Sequence, residues 1–349
     1  MGQPKIRTRS RLEDVALSAG VSASTVSSVL AGNYQNRRIS EETRKRVMES
    51  AQRLQYTPNL LHRSIRRGRT NVISVFNAFR RRDRDDLYLD RMMASIEEAG
   101  GEIGYNILVH TNYKLDLAAT YESLTGGFSD GLILFGSAED DPLLPLLRES
   151  TLPTVLIASR HVDPAFINVL DDEAEGMRLV AENLVGEGHR RIAAITYASE
   201  TSSDPTGRIG RLRKELSVRG VALPDENVLT FHGEVDDIAK QVHALDPLPT
   251  ALFIWHDGNA YRILDALEGL GLSVPGDLSV IGYDGIHWPC KSSHTIASVL
   301  VPMDKMAQTS VHVLDQLLLG NALTRSLTIP VSFSRGTTLG PPRQKSALQ

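Results

Sequence analysis

The side chains in this sequence that could do chemistry are of kinds that grip a ligand or a polyanion. Arg37 and Arg38 stand together in one short stretch, and His62, Arg63, Arg66, Arg67 and Arg69 crowd another. A guanidinium presents a planar fork of N–H donors that matches two phosphate oxygens at once, so both stretches suit phosphate contacts. Ser22 and Thr25 sit where a helix begins. Their hydroxyls, with the unpaired backbone N–H groups of a first helical turn, also suit a phosphate oxygen. Ala23, Ser24, Ser27 and Ser28 fall on the side of that helix away from Val26, Val29 and Leu30, and are small enough to let it approach base edges. The same small residues would serve an ordinary solvated helix surface. Elsewhere, His287, Cys290 and His294 have the spacing of metal ligands, but zinc takes a fourth ligand or an open catalytic water, and the loop with Trp288 and Pro289 offers no further cue. No metal and no cofactor is expected. No G-x-G-x-x-G follows the first apolar run, and no P-loop, G-x-S-x-G or H-E-x-x-H occurs, so the chain is read as a protein that is not an enzyme.

The elements that must position the basic residues are short helices. Ser10 and Glu13 have capping-box spacing, and Leu12, Val15, Ala16 and Ala19 follow at helical period. Gly20 ends that helix, Val21-Ser22 connects, and Ser24 to Leu30 resumes the pattern. Ser40 caps a third helix, with Glu41 and Glu42 in the first turn, where the helix dipole favours negative charge. Two short helices joined by a glycine-containing turn, with a third packed on them, make the helix-turn-helix pattern; a small three-helix capping domain would look similar. Charge separates the two. Residues 1–70 hold 14 Lys and Arg against 5 Asp and Glu, a net of +9, whereas residues 71–349 carry a net of −13. A basic helical head on an acidic body points to a nucleic acid or another anionic partner for the head.

Beyond Asn71 the pattern changes to short apolar runs at 72–76, 107–110, 131–135, 154–158, 191–196, 251–255 and 278–283. Helical stretches separate them, at 87–102, 115–126, 143–149, 172–186, 208–219, 235–245, 258–270 and 302–319. Continuous apolar strands alternating with helices indicate parallel sheets covered on both faces. The length suggests two such lobes, and ligands in these folds bind beyond the C-terminal strand ends. Hydrophobic residues are 41% and charged residues 23% of a 349-residue chain, as in globular proteins. One cysteine, Cys290, excludes an internal disulfide framework and fits a reducing compartment. No apolar run reaches the roughly 18 residues of a membrane span. The opening MGQPKIRTRSR lacks the apolar core of a secretory signal, so a cytoplasmic location without membrane attachment is expected.

The stretch LEDVALSAGVSASTVSSVLAG, from Leu12 to Gly32, resembles the DNA-binding signature of the lactose repressor/galactose repressor family. ISEETRKRV (39–47) and YTPNLLHRSIRRGRT (56–70) match in the same order. The resemblance implies a helix-turn-helix domain over 1–58 and, over 59–70, a hinge helix that folds on operator DNA. It places Ile65 where the family has an apolar wedge for the minor groove, which kinks the duplex, and Arg66 and Arg67 beside it. Two departures matter. The family commonly has Arg where this chain has Ser28, so a bidentate reading of guanine is lost there. The loop from Asn33 to Arg38 is a few residues longer than usual.

The body is similar to the periplasmic-binding-protein-like domain of the same family through FSDGLILFG (128–136), LVGEGHRRIAAIT (184–196), PTALFIWHDG (249–258) and VPGDLSVIGYDGI (274–286). The implied fold is an N-terminal all-α helix-turn-helix domain plus an α/β body of two parallel-sheet lobes spanning 71–349. One lobe is expected at about 71–170 plus 300–325, the other at about 171–299 plus 326–340. Effector candidates follow by the same resemblance: Arg208, although Arg211-Leu212 stands where the family has Gly-Phe; Asp284; Asp257, although His256 replaces an Asn; and Arg160. Trp255, Asn77, Phe79 and Tyr88 would line the cleft beside them. Acid and arginine pairs with an aromatic wall suit a sugar. Val235 stands where relatives place an aromatic, which weakens a purine reading. The stretch 79–86, FRRRDRDD, is longer and more charged than usual and reads as a solvated loop at the cleft. The expected protein is a homodimeric repressor that binds a pseudo-palindromic operator in double-stranded DNA and senses a small-molecule effector, with no coiled-coil segment at 336–349. A solute-binding protein with the same body stays open as the alternative.

Overall fold

The computed structural model describes residues 10–32, 39–57, 68–79, 86–138, 140–159, 163–197, 204–322 and 326–343. The chain divides into two compact units, 1–70 and 71–349.

The first unit holds α1 (Leu12–Ala19), α2 (Ala23–Leu30) and α3 (Glu41–Arg53). Val15, Ala16, Ala19, Val26, Val29, Val47 and Ala51 interlock as its core. Gly20, at φ 65°, takes the left-handed turn that ends α1. Ser40 caps α3 by accepting from the Thr43 N–H at 3.2 Å. The cap of α1 differs from the expected Ser10–Glu13 box. Arg11 is the capping residue, its N–H donating to Asp14 at 2.7 Å. The Ser10 hydroxyl instead donates to the Leu54 carbonyl at 2.8 Å, tying the chain start to the end of α3.

The second unit is built from two six-stranded sheets. In chain order come β1 (Val72–Asn77), α4 (Leu87–Glu102), β2 (Asn106–His110), α5 (Leu117–Thr125), β3 (Gly131–Phe135), α6 (Leu143–Arg148), β4 (Thr154–Ile157) and β5 (Ile167–Asp171). Then follow α7 (Glu173–Gly186), β6 (Ile192–Tyr197), α8 (Arg208–Val218), β7 (Val228–Phe231), α9 (Val235–His243), β8 (Ala251–Ile254), α10 (Asp257–Gly269), β9 (Ser279–Asp284) and β10 (Ala297–Leu300). The chain ends with α11 (Met303–Leu318), β11 (Leu327–Ile329) and β12 (Ser332–Ser334). The first sheet runs β11-β5-β4-β3-β1-β2, all parallel; the second runs β12-β10-β9-β8-β6-β7, parallel except for β12.

Central strands are apolar on both faces because helices cover both. In β1, Ile73 and Val75 pack in one core while Phe76 packs in another, with Leu124, Leu143 and Leu147. The chain crosses between lobes three times: after Asp171, after Leu300, and between Ile329 and Ser332. The last crossing corrects the expected boundary at 326, since β11 pairs with β5 in the first lobe. The crossings are laced together, with the Asp172 N–H donating to the Ile329 carbonyl at 3.0 Å and Val301 N–H to the Asp284 carbonyl at 3.1 Å. Among the described residues, no helix is long and apolar enough to cross a membrane.

Candidate functional sites in the head and in the body

In the head, the start of α2 is a cluster of hydroxyls. Ser22 caps the helix, accepting from the Thr25 N–H at 3.2 Å, and its Oγ lies 2.8 Å from Ser24 Oγ and 2.9 Å from Thr25 Oγ1. Ser22 and Ser24 are exposed, Thr25 and Ser27 half-buried. Ser28 does not face outward as expected. It is 5% exposed, and its hydroxyl donates to the Ser24 carbonyl at 2.9 Å. Ala23 is half-buried and packs against the head core. Arg37, Arg38, Ile65, Arg66 and Arg67 lie outside the described residues.

In the body, the C-terminal strand ends gather the candidate cleft groups. Arg208 opens α8. Its Nε donates to Glu173 at 2.8 Å and its Nη1 to the Trp255 carbonyl at 2.6 Å, and its guanidinium lies 3.7 Å above the Tyr283 ring. Burial opposes its charge, but Glu173, Tyr283, Asp284 and Asp171 outweigh that and raise its pKa. Asp171 ends β5 and accepts from the Tyr283 hydroxyl at 2.5 Å; burial raises its carboxyl, against the pull of Arg208 and that bond. Asp284 ends β9 at φ 111°, a backbone region that costs a non-glycine residue on the order of 1–3 kcal/mol. It is 8% exposed, and burial, with Asp257, Asp171 and Asp86 nearby, raises its carboxyl well above the ordinary range despite Arg208. Strained, buried and close to other carboxylates, it is placed to hydrogen-bond a ligand.

An aromatic wall stands beside these charges. Tyr197 at the end of β6 meets Trp255 edge-on at 4.6 Å and stacks on His256 at 5.7 Å. His256 caps α10: its Nδ1 accepts from the Asn259 N–H at 3.1 Å, so Nε2 carries the proton and faces the Tyr197 hydroxyl at 3.1 Å. Burial, with Arg208 and Arg262 near, pushes its pKa down to about 4. The indole N–H of Trp255 is buried and finds no acceptor among the described residues. Such a donor costs free energy until something accepts from it.

Asp257 is placed differently from its neighbours. It is 1% exposed, and its carboxylate accepts from the Ser298 hydroxyl at 2.8 Å and the Ile286 N–H at 2.8 Å. It lies on the β9 backbone at Gly282, where a Cβ would collide with it. It therefore braces the turn after Asp284. Across from these groups, Asn77 is buried at the end of β1 and accepts from the Phe79 N–H at 3.1 Å. Phe79 is exposed, with its ring over Gly136 and edge-on to Phe135. Tyr88, in the first turn of α4, lies near Asp171, Asp284 and Arg208; burial and the two carboxylates raise its hydroxyl pKa. Arg160 lies outside the described residues. Sequence reasoning missed Asp171, Glu173, Tyr197 and Tyr283. Asp171 ends and Glu173 follows a strand that is hard to see in the sequence, while Tyr283 stands within the GYDGI stretch next to Asp284.

The metal-like trio disperses. His287 contacts the Tyr261 hydroxyl at 3.1 Å, Cys290 donates to the Ser292 carbonyl, and His294 contacts Thr337 Oγ1 at 2.9 Å. Among the described residues, no cluster of three or more His, Cys, Asp or Glu could hold a metal ion.

Comparison with known proteins bears on the two units that hold these residues. Residues 11–59 match the model for bacterial regulatory proteins, lacI family, and residues 181–338 match the periplasmic binding protein-like domain. The chain is 30% identical over 326 residues to the HTH-type transcriptional repressor PurR of Aliivibrio fischeri strain ES114, covering 87% of this chain and 90% of the relative. The lac repressor dimer, solved on operator with the anti-inducer ONPF, has a TM-score of 0.80 at 22% identity over 95% of this chain and all of that one. A complex of the transcriptional regulator CelR with cellobiose has a TM-score of 0.66 at 24% identity, over 95% of this chain and all of that one. At such identities the structures share the fold, and the sequence relatives are regulators rather than enzymes. With a matched helix-turn-helix head and a matched two-lobed ligand-binding body, the chain belongs to the lacI family of bacterial regulatory proteins and is a DNA-binding transcriptional regulator.

Proposed function

We propose that the protein is a cytoplasmic homodimeric repressor that binds a pseudo-palindromic operator and senses a sugar or similar polyol between its two lobes. One observation carries the sugar reading: the cleft holds both a buried carboxyl and a buried N–H donor. Asp284 is held in a strained backbone with its carboxyl buried and raised in spite of Arg208, and the Trp255 indole N–H finds no acceptor among the described residues. A hydroxyl both donates and accepts, so adjacent hydroxyls on one ring satisfy both, while the faces of Trp255 and Tyr197 pack against its C–H surface. Arg208, paired with Glu173, fixes the geometry, and Asn77, Phe79 and Tyr88 close the other side, with Arg160 a further ligand candidate from the sequence alone. In the head, Ser22, Thr25, Arg37, Arg38, Arg66 and Arg67 contact the operator backbone, Ser24 and Ser27 lie next to the bases, and Ile65 enters the minor groove. Ligand binding shifts the lobe angle and hence the spacing of the two heads. A thermal-shift panel of sugars and nucleobases, followed by gel shift at fixed salt, tests both halves. A hit that stabilises the protein and changes operator affinity is expected. A nucleobase hit with no sugar hit removes the polyol reading.

A further inference from the structure

The charges at the cleft are unevenly matched. The chain leaves the C-terminal ends of β5, β10 and β11 to cross between lobes, so these ends of the two sheets face each other. There stand Asp171 from the first lobe, Asp284 from the second, and Glu173 in the first turn of α7. The charges of Asp257, Asp171 and Asp86 all act on Asp284, and one cation, Arg208, acts against them. That guanidinium is already engaged by Glu173 at 2.8 Å, the Trp255 carbonyl at 2.6 Å and the Tyr283 ring at 3.7 Å. His256 is neutral at pH 7, its pKa pushed down to about 4, and Arg262 near it is exposed. Among the described residues, carboxylates outnumber cations at this boundary.

The protein serves these carboxylates unequally. Glu173 has Arg208, Asp257 accepts from the Ser298 hydroxyl and the Ile286 N–H, and Asp171 accepts from the Tyr283 hydroxyl at 2.5 Å. Asp284 is 8% exposed, and its carboxyl accepts no hydrogen bond among the described residues. A buried carboxylate without a donor costs free energy, and like charges beside it add to that cost. A ligand hydroxyl supplies a donor but no charge, whereas an ammonium supplies three donors and a positive charge. The buried indole N–H of Trp255 makes the opposite demand. It takes an acceptor, which a hydroxyl is and an ammonium is not. The two demands together describe a ligand that carries both groups.

We propose that the effector is an amino sugar or amino polyol, whose ammonium binds at Asp284 and Asp171 and whose hydroxyls accept from the Trp255 N–H. This rests on the polyol reading of the cleft and narrows it. Asp171 belongs to the first lobe and Asp284 to the second, so the ammonium offsets repulsion across the boundary and favours a closed cleft. The probes are glucose, galactose and mannose, their 2-amino and 6-amino derivatives, and the N-acetyl forms of those amines, titrated calorimetrically into the full-length protein at pH 7. One amine is expected to bind about tenfold or more tighter than both its parent sugar and its N-acetyl form. Asp284→Asn and Asp171→Asn keep a hydrogen-bonding group and remove the charge. Each is expected to cut the amine-to-parent ratio by about fivefold or more, with the parent's own affinity changed less than about threefold. A merely structural role would weaken amine and parent alike and leave the ratio unmoved. The two substitutions lie on different strands, so a folding failure in one leaves the other. Equal binding of amine and parent throughout the panel overturns the proposal and leaves the polyol reading standing. An amine preference that survives both substitutions also overturns it. So does spermidine, which has charge but no hydroxyl, if it binds as tightly as the best amine. If no member of the panel binds, the polyol reading fails and the proposal fails with it.

Discussion

His256 shows how one substitution within a family pattern changes the physics of a site. Its Nδ1 accepts from a backbone N–H and its Nε2–H faces the Tyr197 hydroxyl, so the ring is locked neutral. With its pKa pushed down to about 4 in the folded state, it binds fewer protons folded than unfolded at any pH between that value and about 6.5. Its contribution to stability is therefore full above pH 6.5 and is lost as the pH falls toward 4. The total is up to roughly 3 kcal/mol. Asn can still cap α10 and does not titrate. His256→Asn is thus expected to lower stability at pH 7 and to flatten its decline between pH 6.5 and 4.5, as urea titrations at both pH values would report. Comparing the two proteins cancels groups that titrate in both, Asp257 included. A parallel decline in both would mean that His256 charges freely in the folded protein. Asp284 has the opposite sign. Its carboxyl is raised in the folded state, so it costs stability as the pH rises above about 3.8. Asp284→Asn should melt higher than the parent at pH 7, with the gain shrinking toward pH 4, and should respond less to the best sugar in a thermal-shift titration. A stabilised variant with an undiminished response would remove Asp284 from the ligand site.

At the level of elements, what was legible in the sequence follows burial. Strands buried on both faces, such as Gly131–Phe135 and Ala251–Ile254, read as unbroken apolar runs and stand where expected. Val228–Phe231, Leu327–Ile329 and Ser332–Ser334 did not, being short, half-exposed and at sheet edges, and neither did the interior strands Ile167–Asp171 and Ala297–Leu300, whose short apolar runs are interrupted by Asn168 and Ser298. The first crossing follows Ile167–Asp171 and the last joins two edge strands, so both were obscured, which is why Asp171 and Glu173 escaped notice while Arg208 and Asp284 did not. In the head, helix periodicity located all three helices but misjudged Ser28, whose hydroxyl satisfies itself on the preceding turn. That contrast is testable. Ser22→Ala removes a cap and should cost the head about 1 kcal/mol and weaken operator binding. Ser28→Ala deletes a bond within one helix and should change operator affinity by less than about twofold, since about 0.4 kcal/mol corresponds to twofold. Fluorescence anisotropy on one operator duplex compares the two. Equal losses would mean that Ser28 turns outward on DNA.

For the whole molecule, the division after Thr70 coincides with the reversal of charge, +9 before it and −13 after it. A single net charge of −4 hides this arrangement. Polyanion attraction is confined to the smaller unit, and the acidic remainder discourages DNA from binding elsewhere. Affinity should therefore depend on salt through the head alone. Each phosphate neutralised contributes a slope of about −0.9 to the logarithm of affinity against the logarithm of salt. Arg66→Ala and Arg67→Ala, one change per subunit of a dimer, should each reduce the slope magnitude by nearly 2 while leaving sugar-induced stabilisation unchanged. A fragment of residues 71–349 should keep that stabilisation and bind no operator at any salt concentration. If either substitution leaves the slope intact, its guanidinium does not meet a phosphate. If the fragment retains salt-dependent DNA binding, the separation of charge between the two units is not the separation of function.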